Sequence, residues 1–183
     1  VLGAGVVGLA AAYELLDRGY TVHLYADAWS PHLTSNVAAG IWTPLTLPEN
    51  LPAEKKELHE RMEVYAKARF QNSLGENPEF AGVRMLPLYQ FRKESKLGEE
   101  VVVHFDNGIE KKGRKGSLLG MDGHIFMNDL MQKVQDKGAL LEEKHFASLR
   151  DILDLKESLI INCTSIGSKE LFHDDEFMPV RGQ

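Results

Sequence analysis

The 183-residue chain has a single cysteine, Cys163, so neither an internal disulfide nor a cysteine-built metal cage can hold it together. Its histidines (His23, His32, His59, His104, His124, His145 and His173) show no H-x-x-x-H or H-E-x-x-H spacing, which removes the usual histidine zinc patterns. Long hydrophobic runs are missing. The most apolar stretch is Val6-Val7, a glycine, then Leu9 to Tyr13, far short of the ~20 residues of a membrane-spanning helix. Positive charge is not in excess: 21 Lys and Arg against 27 Asp and Glu give a net charge of −6, without the basic footprint of a nucleic-acid binder. Neither a Gly-x-Ser-x-Gly elbow nor a Walker loop occurs. These absences weigh against a nucleic-acid partner, a membrane span and a metal site.

What is present is ordinary for a globular chain: 43% hydrophobic and 26% charged residues, enough to bury a core and too apolar for disorder. The clearest unit is at the start. Val1-Leu2 reads as the end of a buried strand. Gly3-Ala4-Gly5-Val6-Val7-Gly8 comes next, and Leu9, Ala12, Tyr13 and Leu16 then recur at helical spacing. Arg18 and Gly19 mark the helix stop, and Thr21 to Tyr25 alternates as a second strand. Gly3, Gly5 and Gly8 therefore stand in the strand–turn–helix context that a dinucleotide-binding turn requires. The first glycine permits the tight turn, the second admits a pyrophosphate to the backbone, and the third lets helix and strand pack closely. Asp27, 19 residues after Gly8, is the candidate acid for the ribose. Ala28 comes directly after it, so no arginine is there to hold a 2′-phosphate, which weighs against NADP. The motif alone does not separate NAD from FAD.

Further along, residues 26–50 form a long, mostly irregular stretch, and such loops are uncommon unless functional. Ala53 to Leu74 reads as a packed surface helix with Leu58, Met62, Tyr65, Ala66 and Arg69 on one face. Val83 to Lys93 and Glu99 to Lys112 read as strands, with Asp106-Asn107-Gly108 as a hairpin signal. Lys111, Lys112, Arg114 and Lys115 read as a solvated turn. Asn128 is the candidate cap of a helix carrying Leu130, Met131 and Val134, stopped by Lys137-Gly138. A short strand is expected from Leu140 to Phe146, a capping box at Ser148 and Asp151, and a buried parallel strand from Ser158 to Thr164. Cys163 lies inside that apolar run and reads as core, not nucleophile.

One segment carries a resemblance. Leu33-Thr34-Ser35-Asn36-Val37-Ala38-Ala39-Gly40-Ile41-Trp42-Thr43-Pro44 closely resembles the flavin-facing loop of the D-amino-acid oxidase and D-aspartate oxidase family. Tyr25-Ala26-Asp27, Asn162-Cys163-Thr164 and the closing Pro179-Val180-Arg181-Gly182-Gln183 are similar to other parts of that family, in the same order; residues 46–120 match only loosely. The resemblance implies an α/β chain: a Rossmann-like FAD-binding domain with a parallel sheet, in two segments (1–74 and 121–183), and part of a β-rich substrate domain at 75–120. It implies FAD as cofactor, bound at the Gly3, Ala4, Gly5, Val6, Val7 and Gly8 turn, with Ala4 to Val7 meeting the pyrophosphate and Asp27 the adenosine ribose. Thr34 and Ser35 would help hold the phosphates, and Ala39, Gly40 and Ile41 would approach the isoalloxazine through their backbones. Phe146 matches a position whose backbone holds the adenine, and Thr164 and Ser165 match the strand end beside the cofactor.

The implied reaction is oxidative deamination: a hydride passes from the substrate α-carbon to flavin, the imino acid hydrolyses to keto acid and ammonia, and oxygen is reduced to hydrogen peroxide. The partners implied are an amino-acid or amine substrate and oxygen, with a homo-oligomer left open. Four positions depart from the family pattern: Ala28 replaces a basic residue, Leu33 a hydroxyl residue, Leu45 an aromatic and Ser165 a glycine. The family's substrate-gripping arginine and tyrosines lie beyond Gln183, so no catalytic residue is assigned. The expectation is an N-terminal portion of a larger enzyme, cut at both ends, inactive alone, and cytoplasmic or peroxisomal in preference to secreted. The alternatives are a glycine- or sarcosine-oxidase-like amine oxidase, an NAD-dependent dehydrogenase, which the long 26–50 loop argues against, and a non-catalytic dinucleotide-binding module.

Overall fold

The computed structural model describes residues 1–43, 47–92, 98–176 and 178. Pro44, Leu45, Lys93 and the closing Pro179–Gln183 motif lie outside the described residues. In chain order the elements are α1 (Val6–Asp17), β1 (His23–Ala26), α2 (Thr34–Val37), α3 (Ala53–Gln71), β2 (Val83–Gln90), β3 (Glu99–His104), β4 (Glu110–Met121), α4 (Gly123–Asp136), β5 (Leu140–Glu143), α5 (Leu149–Leu153) and α6 (Gly167–Phe172). They form two compact units, Val1–Ala39 with Asp122–Gln183, and Gly40–Met121.

The first unit is a Rossmann-like α/β arrangement. β1 pairs with β5 in parallel, from His23 opposite Leu140 to Ala26 opposite Glu143. Leu2 makes parallel bridges to Tyr25 on one side and Asn162 on the other. The Leu2 N–H donates to the Ile161 carbonyl at 2.9 Å, and the Cys163 N–H donates to the Leu2 carbonyl at 2.8 Å. The parallel order is therefore β5, β1, the Leu2 segment, the Asn162 segment. Parallel neighbours need crossovers, and α1 and α4, which pack on each other, provide them. Leu9 and Ala12 of α1 and Met127, Leu130 and Val134 of α4 are buried. Leu2, Tyr25, Phe146, Ile152 and Leu171 make a cluster with Leu155 and Ile160 against it.

Beside this cluster the Tyr25 hydroxyl donates to Glu157 Oε1 at 2.8 Å, and His23 Nδ1 lies 2.9 Å from the same oxygen. Burial pushes the Tyr25 phenol far above its ordinary value, and the bond to Glu157 adds to the effect. For Glu157, burial opposes ionisation, but the Tyr25 hydroxyl, a backbone N–H and His23 together outweigh it and hold the carboxyl below its usual range.

Several local expectations are met by the backbone. Arg18 caps the C-terminus of α1 and Gly19 adopts φ +83°, as the stop signal predicts. The Ser148–Asp151 capping box opens α5. Three others are corrected. α4 is capped by Asp122, whose carboxylate accepts from the His124 and Ile125 N–H groups at 3.1 and 3.2 Å, so Asn128 lies inside the helix. The strand at 140 ends at Glu143, before Phe146. Of Ser158 to Thr164 only Asn162 is paired, and Leu159 is 67% exposed. Among the described residues no strand pairs on the far side of Asn162.

The second unit is an antiparallel sheet of order β2-β4-β3. The hairpin closes at Asp106-Asn107-Gly108, where the Gly108 N–H donates to the Phe105 carbonyl at 2.9 Å. Lys111, Lys112, Arg114 and Lys115 lie on β4, not in a turn. Opposite Arg114 and Lys115 stand Glu100 and Glu99 of β3, and such opposite-charge cross-strand pairs favour the strand; Arg114 reaches Glu100 at 3.3 Å. The expected boundary near residue 74 falls inside this unit. The end of α3 is tied to the turn that leads on from it: Ser73 Oγ donates to the Arg69 carbonyl at 3.1 Å and accepts from the Phe80 N–H at 3.0 Å, and Arg69 pairs with Glu79. The packed face expected of α3 is not formed. No residue of α3 is buried, and Leu58, Met62 and Tyr65 are each more than half exposed.

These environments separate two substitutions of similar chemistry. Leu130→Ala removes a side chain that is 1% exposed and is expected to lower the unfolding free energy by about 2–5 kcal/mol. Met62→Ala on the open face of α3 is expected to change it by less than about 0.5 kcal/mol. Urea unfolding of the two variants measures both.

Candidate functional site

The glycine turn is built by backbone crowding. Gly3 adopts φ +97°, and a Cβ on it would lie 2.4 Å from the Cys163 carbonyl oxygen. A Cβ on Gly8 would lie 1.9 Å from the Gly3 carbonyl oxygen. These two glycines are fixed by the passage of the chain itself. Gly5 differs: the nearest atom to a Cβ there is Ser35 Oγ, at an ordinary contact distance of 3.4 Å. The space in front of Gly5 is open, and it belongs to a cavity.

Gly5 is also the N-cap of α1, and it makes no side-chain cap hydrogen bond. The first intrahelical bond runs from the Leu9 N–H to the Gly5 carbonyl at 3.0 Å. The earlier N–H groups have no intrahelical acceptor; that of Val6 donates to Ser35 Oγ at 3.0 Å. The helix end thus presents donors and a partial positive charge, with no acidic residue in its first turn.

The cavity holds about 530 Å³ and is lined by Gly3, Ala4, Gly5, residues 25–28, 32–35, 144–147 and 163–167, Glu170 and Leu171. That volume lies in the range of small-molecule and cofactor sites. It brings together Gly3, Ala4, Gly5, Asp27, Thr34, Ser35, Phe146, Thr164 and Ser165 from the expected set. Val6, Val7 and Gly8 form the first turn of α1 behind it. Ala39, Gly40 and Ile41 do not line it: Ala39 ends the first unit, while Gly40 and Ile41 belong to the second, where Ile41 bridges to Gly120.

Each wall has its own chemistry. Asp27 is exposed at the rim, with His145 Nδ1 3.7 Å from its carboxylate. Phe146 is buried edge-on to Tyr25, ring centroids 5.8 Å apart, so its backbone is what it offers the cavity. Asn162 Oδ1 accepts from the Thr164 N–H at 3.1 Å and from Thr164 Oγ1 at 2.7 Å, fixing the turn into α6. Ser165 comes next at φ +53°, a left-handed conformation that costs a serine about 1 kcal/mol; it keeps the backbone shape that a glycine would take. Burial pushes the Cys163 thiol up, which leaves it protonated and unsuited to nucleophilic work.

Asn36 is a residue that sequence reasoning passed over. It is 3% exposed. Its Oδ1 accepts from the Leu33 N–H at 3.2 Å, and its Nδ2 donates to Ser30 Oγ at 2.9 Å. It was visible only as one letter of the 33–44 motif, and nothing local marks it as buried. Among the described residues there is no group of three or more His, Cys, Asp or Glu side chains placed to hold a metal ion, and no helix long and apolar enough to cross a membrane.

The sequence profile of the FAD dependent oxidoreductase family matches residues 1–183. A D-amino-acid oxidase of Dictyostelium discoideum is 26% identical over 196 residues, covering 100% of this chain and 55% of that protein. The human D-aspartate oxidase is 26% identical over 203 residues, covering 100% of this chain and 57% of that protein. Among solved structures, the iminodiacetate oxidase of Chelativorans sp. BNC1 aligns with a TM-score of 0.49 at 16% identity, covering 79% of this chain and 46% of that one. The chain therefore spans little more than half the length of these curated relatives.

The glycines divide into two kinds, and stability measurements should show it. Gly3→Ala and Gly8→Ala are each expected to lower the unfolding free energy by about 3 kcal/mol or more, because backbone must move. Gly5→Ala is expected to keep its fold, within about 1 kcal/mol. Denaturant melts of the three variants decide the matter; a Gly8→Ala protein as stable as its parent would overturn the role given to crowding.

Proposed function

The chain belongs to the family of FAD-dependent oxidoreductases, and from that premise we propose that the full-length protein is a flavoprotein oxidase that deaminates D-amino acids to keto acid and ammonia, with release of hydrogen peroxide. The observation that carries the proposal is the cavity in front of Gly5, where an uncapped helix end, a hydroxyl-bearing loop and a rim carboxylate meet. This donor set fits FAD. The open space at Gly5 admits a pyrophosphate to the backbone, and the free N–H groups of α1 suit its charge. Ser35 and Thr34 add hydroxyls. Asp27, at the end of β1, suits the two hydroxyls of the adenosine ribose, and the backbone at Phe146 suits the adenine edge. The Thr164–Ser165 turn, held by Asn162, closes the wall beside the cofactor. We assign the backbone of Ala39, Gly40 and Ile41 to the isoalloxazine by the likeness of the 33–44 motif.

When bound, FAD supplies the two-electron redox chemistry. The residues here bind it, orient it and limit its exposure to water. No residue of 1–183 is assigned to the substrate carboxylate or to proton transfer, and we expect this chain alone to be inactive as an oxidase. The D-amino-acid specificity is drawn from the names of the curated relatives.

Purified full-length protein is expected to be yellow, to release FAD on denaturation, and to form peroxide with D-amino acids but not with their L-enantiomers. Gly5→Ala is expected to weaken FAD binding tenfold or more while the protein stays folded, and Asp27→Ala to weaken it about tenfold, the lower end of what a hydrogen bond to a carboxylate contributes. Flavin fluorescence titration measures both. Peroxide from glycine or sarcosine alone would move the assignment to an amine oxidase of that kind. A protein that binds no flavin would sink the proposal.

A further inference from the structure

The cofactor-facing hydroxyl of Ser35 does not hold its position through its own neighbours. Its loop is anchored from α4, about one hundred residues later in the chain. Ser30 Oγ donates to Asn128 Oδ1 at 2.6 Å. Asn36 Nδ2 donates to Ser30 Oγ at 2.9 Å, and Asn36 Oδ1 accepts from the Leu33 N–H at 3.2 Å. Each donor in this relay points one way, from the Leu33 N–H to Asn36, from Asn36 to Ser30 and from Ser30 to Asn128, so every acceptor is satisfied without a competing hydrogen. Between Leu33 and Asn36 the chain makes the first turn of α2, and Ser35 on that turn accepts the Val6 N–H of α1 at 3.0 Å. The backbone of α4 comes close at the same place: a Cβ on Gly123 would lie 2.5 Å from the Asn36 carbonyl oxygen and 2.9 Å from that of Ser35. α2 is only four residues long, too short to hold itself together.

We propose that Asn128 is a positioning residue for the cofactor site. Through Ser30 and Asn36 it fixes the α2 turn, and so the Ser35 hydroxyl, against the N-terminus of α1. Asn128 does not line the cavity, and its influence on FAD passes entirely through the loop. The inference rests on the FAD reading above for its consequence in binding, but the relay itself stands without it.

The test uses the full-length protein and three variants. Asn128→Ala removes the acceptor and Ser30→Ala removes the link, whereas Asn128→Asp keeps an oxygen for the Ser30 hydroxyl. The first two are expected to raise the FAD dissociation constant about fivefold, as for one lost hydrogen bond, and Asn128→Asp to stay within about twofold of the parent. Asn128 is exposed on α4, so its replacement is expected to leave the thermal midpoint nearly unchanged. Amide hydrogen exchange without flavin is the second measurement: Val6, Leu33 and Asn36 should exchange faster in Asn128→Ala than in the parent, and at the parental rate in Asn128→Asp. A parent that binds FAD beside an Asn128→Ala protein with unchanged affinity and exchange would overturn the relay alone. Equal losses in Asn128→Asp and Asn128→Ala would overturn it too. If the parent binds no FAD, the function proposed above fails, and the exchange rates still decide whether Asn128 sets the loop.

Discussion

The first unit depends on one close approach of backbone to backbone. The Leu2 segment lies between β1 and the Asn162 segment, bonded to both. It must then turn sharply into α1 while passing the Cys163 carbonyl. Gly3 makes that passage and Gly8 lets α1 return over the Gly3 carbonyl. A side chain at Gly3 would press on the Cys163 carbonyl, and one at Gly8 would force α1 away from the Leu2 segment. The pairing of Leu2 in the middle of the sheet, the direction of α1 and the space in front of Gly5 arise together from this packing. The cavity is the empty side of a crowded turn.

The helix ends show how the chain divides stability from binding. α4 begins at Asp122, whose carboxylate takes two of the orphan N–H groups. α5 begins at Ser148, and Asp151 accepts the Ser148 and Ala147 N–H groups, bonds that hold its carboxyl below its usual range. Asp122 thus satisfies donors in the first turn of α4, whereas at α5 the bonds tie the cap residue and the one before it to the helix. α1 has a glycine at the same position and only the Ser35 hydroxyl nearby. A Ser or Asp at residue 5 would supply a side-chain cap, but it would fill the space that a phosphate needs. Under the function proposed above, the missing cap is a stability contribution given up for a ligand.

What could be read from the sequence was whatever depends on neighbours in the chain. The glycine spacing, the period of α1, the Gly19 stop, the Asp106-Asn107-Gly108 hairpin and the Ser148–Asp151 box are all local, and all are present. The errors lie where a distant partner decides. Asn128 has the chemistry of a cap, but the start of α4 is set by Asp122 and by the approach of Gly123 to α2, so Asn128 falls inside the helix and serves Ser30 instead. Lys111 to Lys115 look like a turn until Glu99 and Glu100 are placed across from two of them. Ser158 to Thr164 has the composition of a covered strand, yet Leu159 is 67% exposed and only Asn162 is paired. The apolar stripe of α3 has the right spacing, but spacing does not supply a surface to pack on. In the candidate site the glycines and Asp27 were legible because they form a motif. Asn36 was not, because its importance comes from burial.

The same contact that anchors α2 also bears on how the two units share one chain. The chain leaves the first unit after Ala39, a few residues beyond Asn36, and returns at Asp122, next to Gly123. Within the first unit Asn36 and Gly123 are in contact, and Ser30 and Asn128 reinforce the contact. The exit and the re-entry of the chain are therefore stapled together inside the first unit, whatever lies between them. A segment whose two ends are held side by side can change in length and sequence with little effect on the unit that holds them. The first unit can then keep the geometry of its own cavity, which residues 40–121 do not line, while much of that segment varies. The relay from Asn128 to Leu33 thus has two effects with one cause: it orients the Ser35 hydroxyl at the cavity, and it closes the base of the excursion that begins a few residues later.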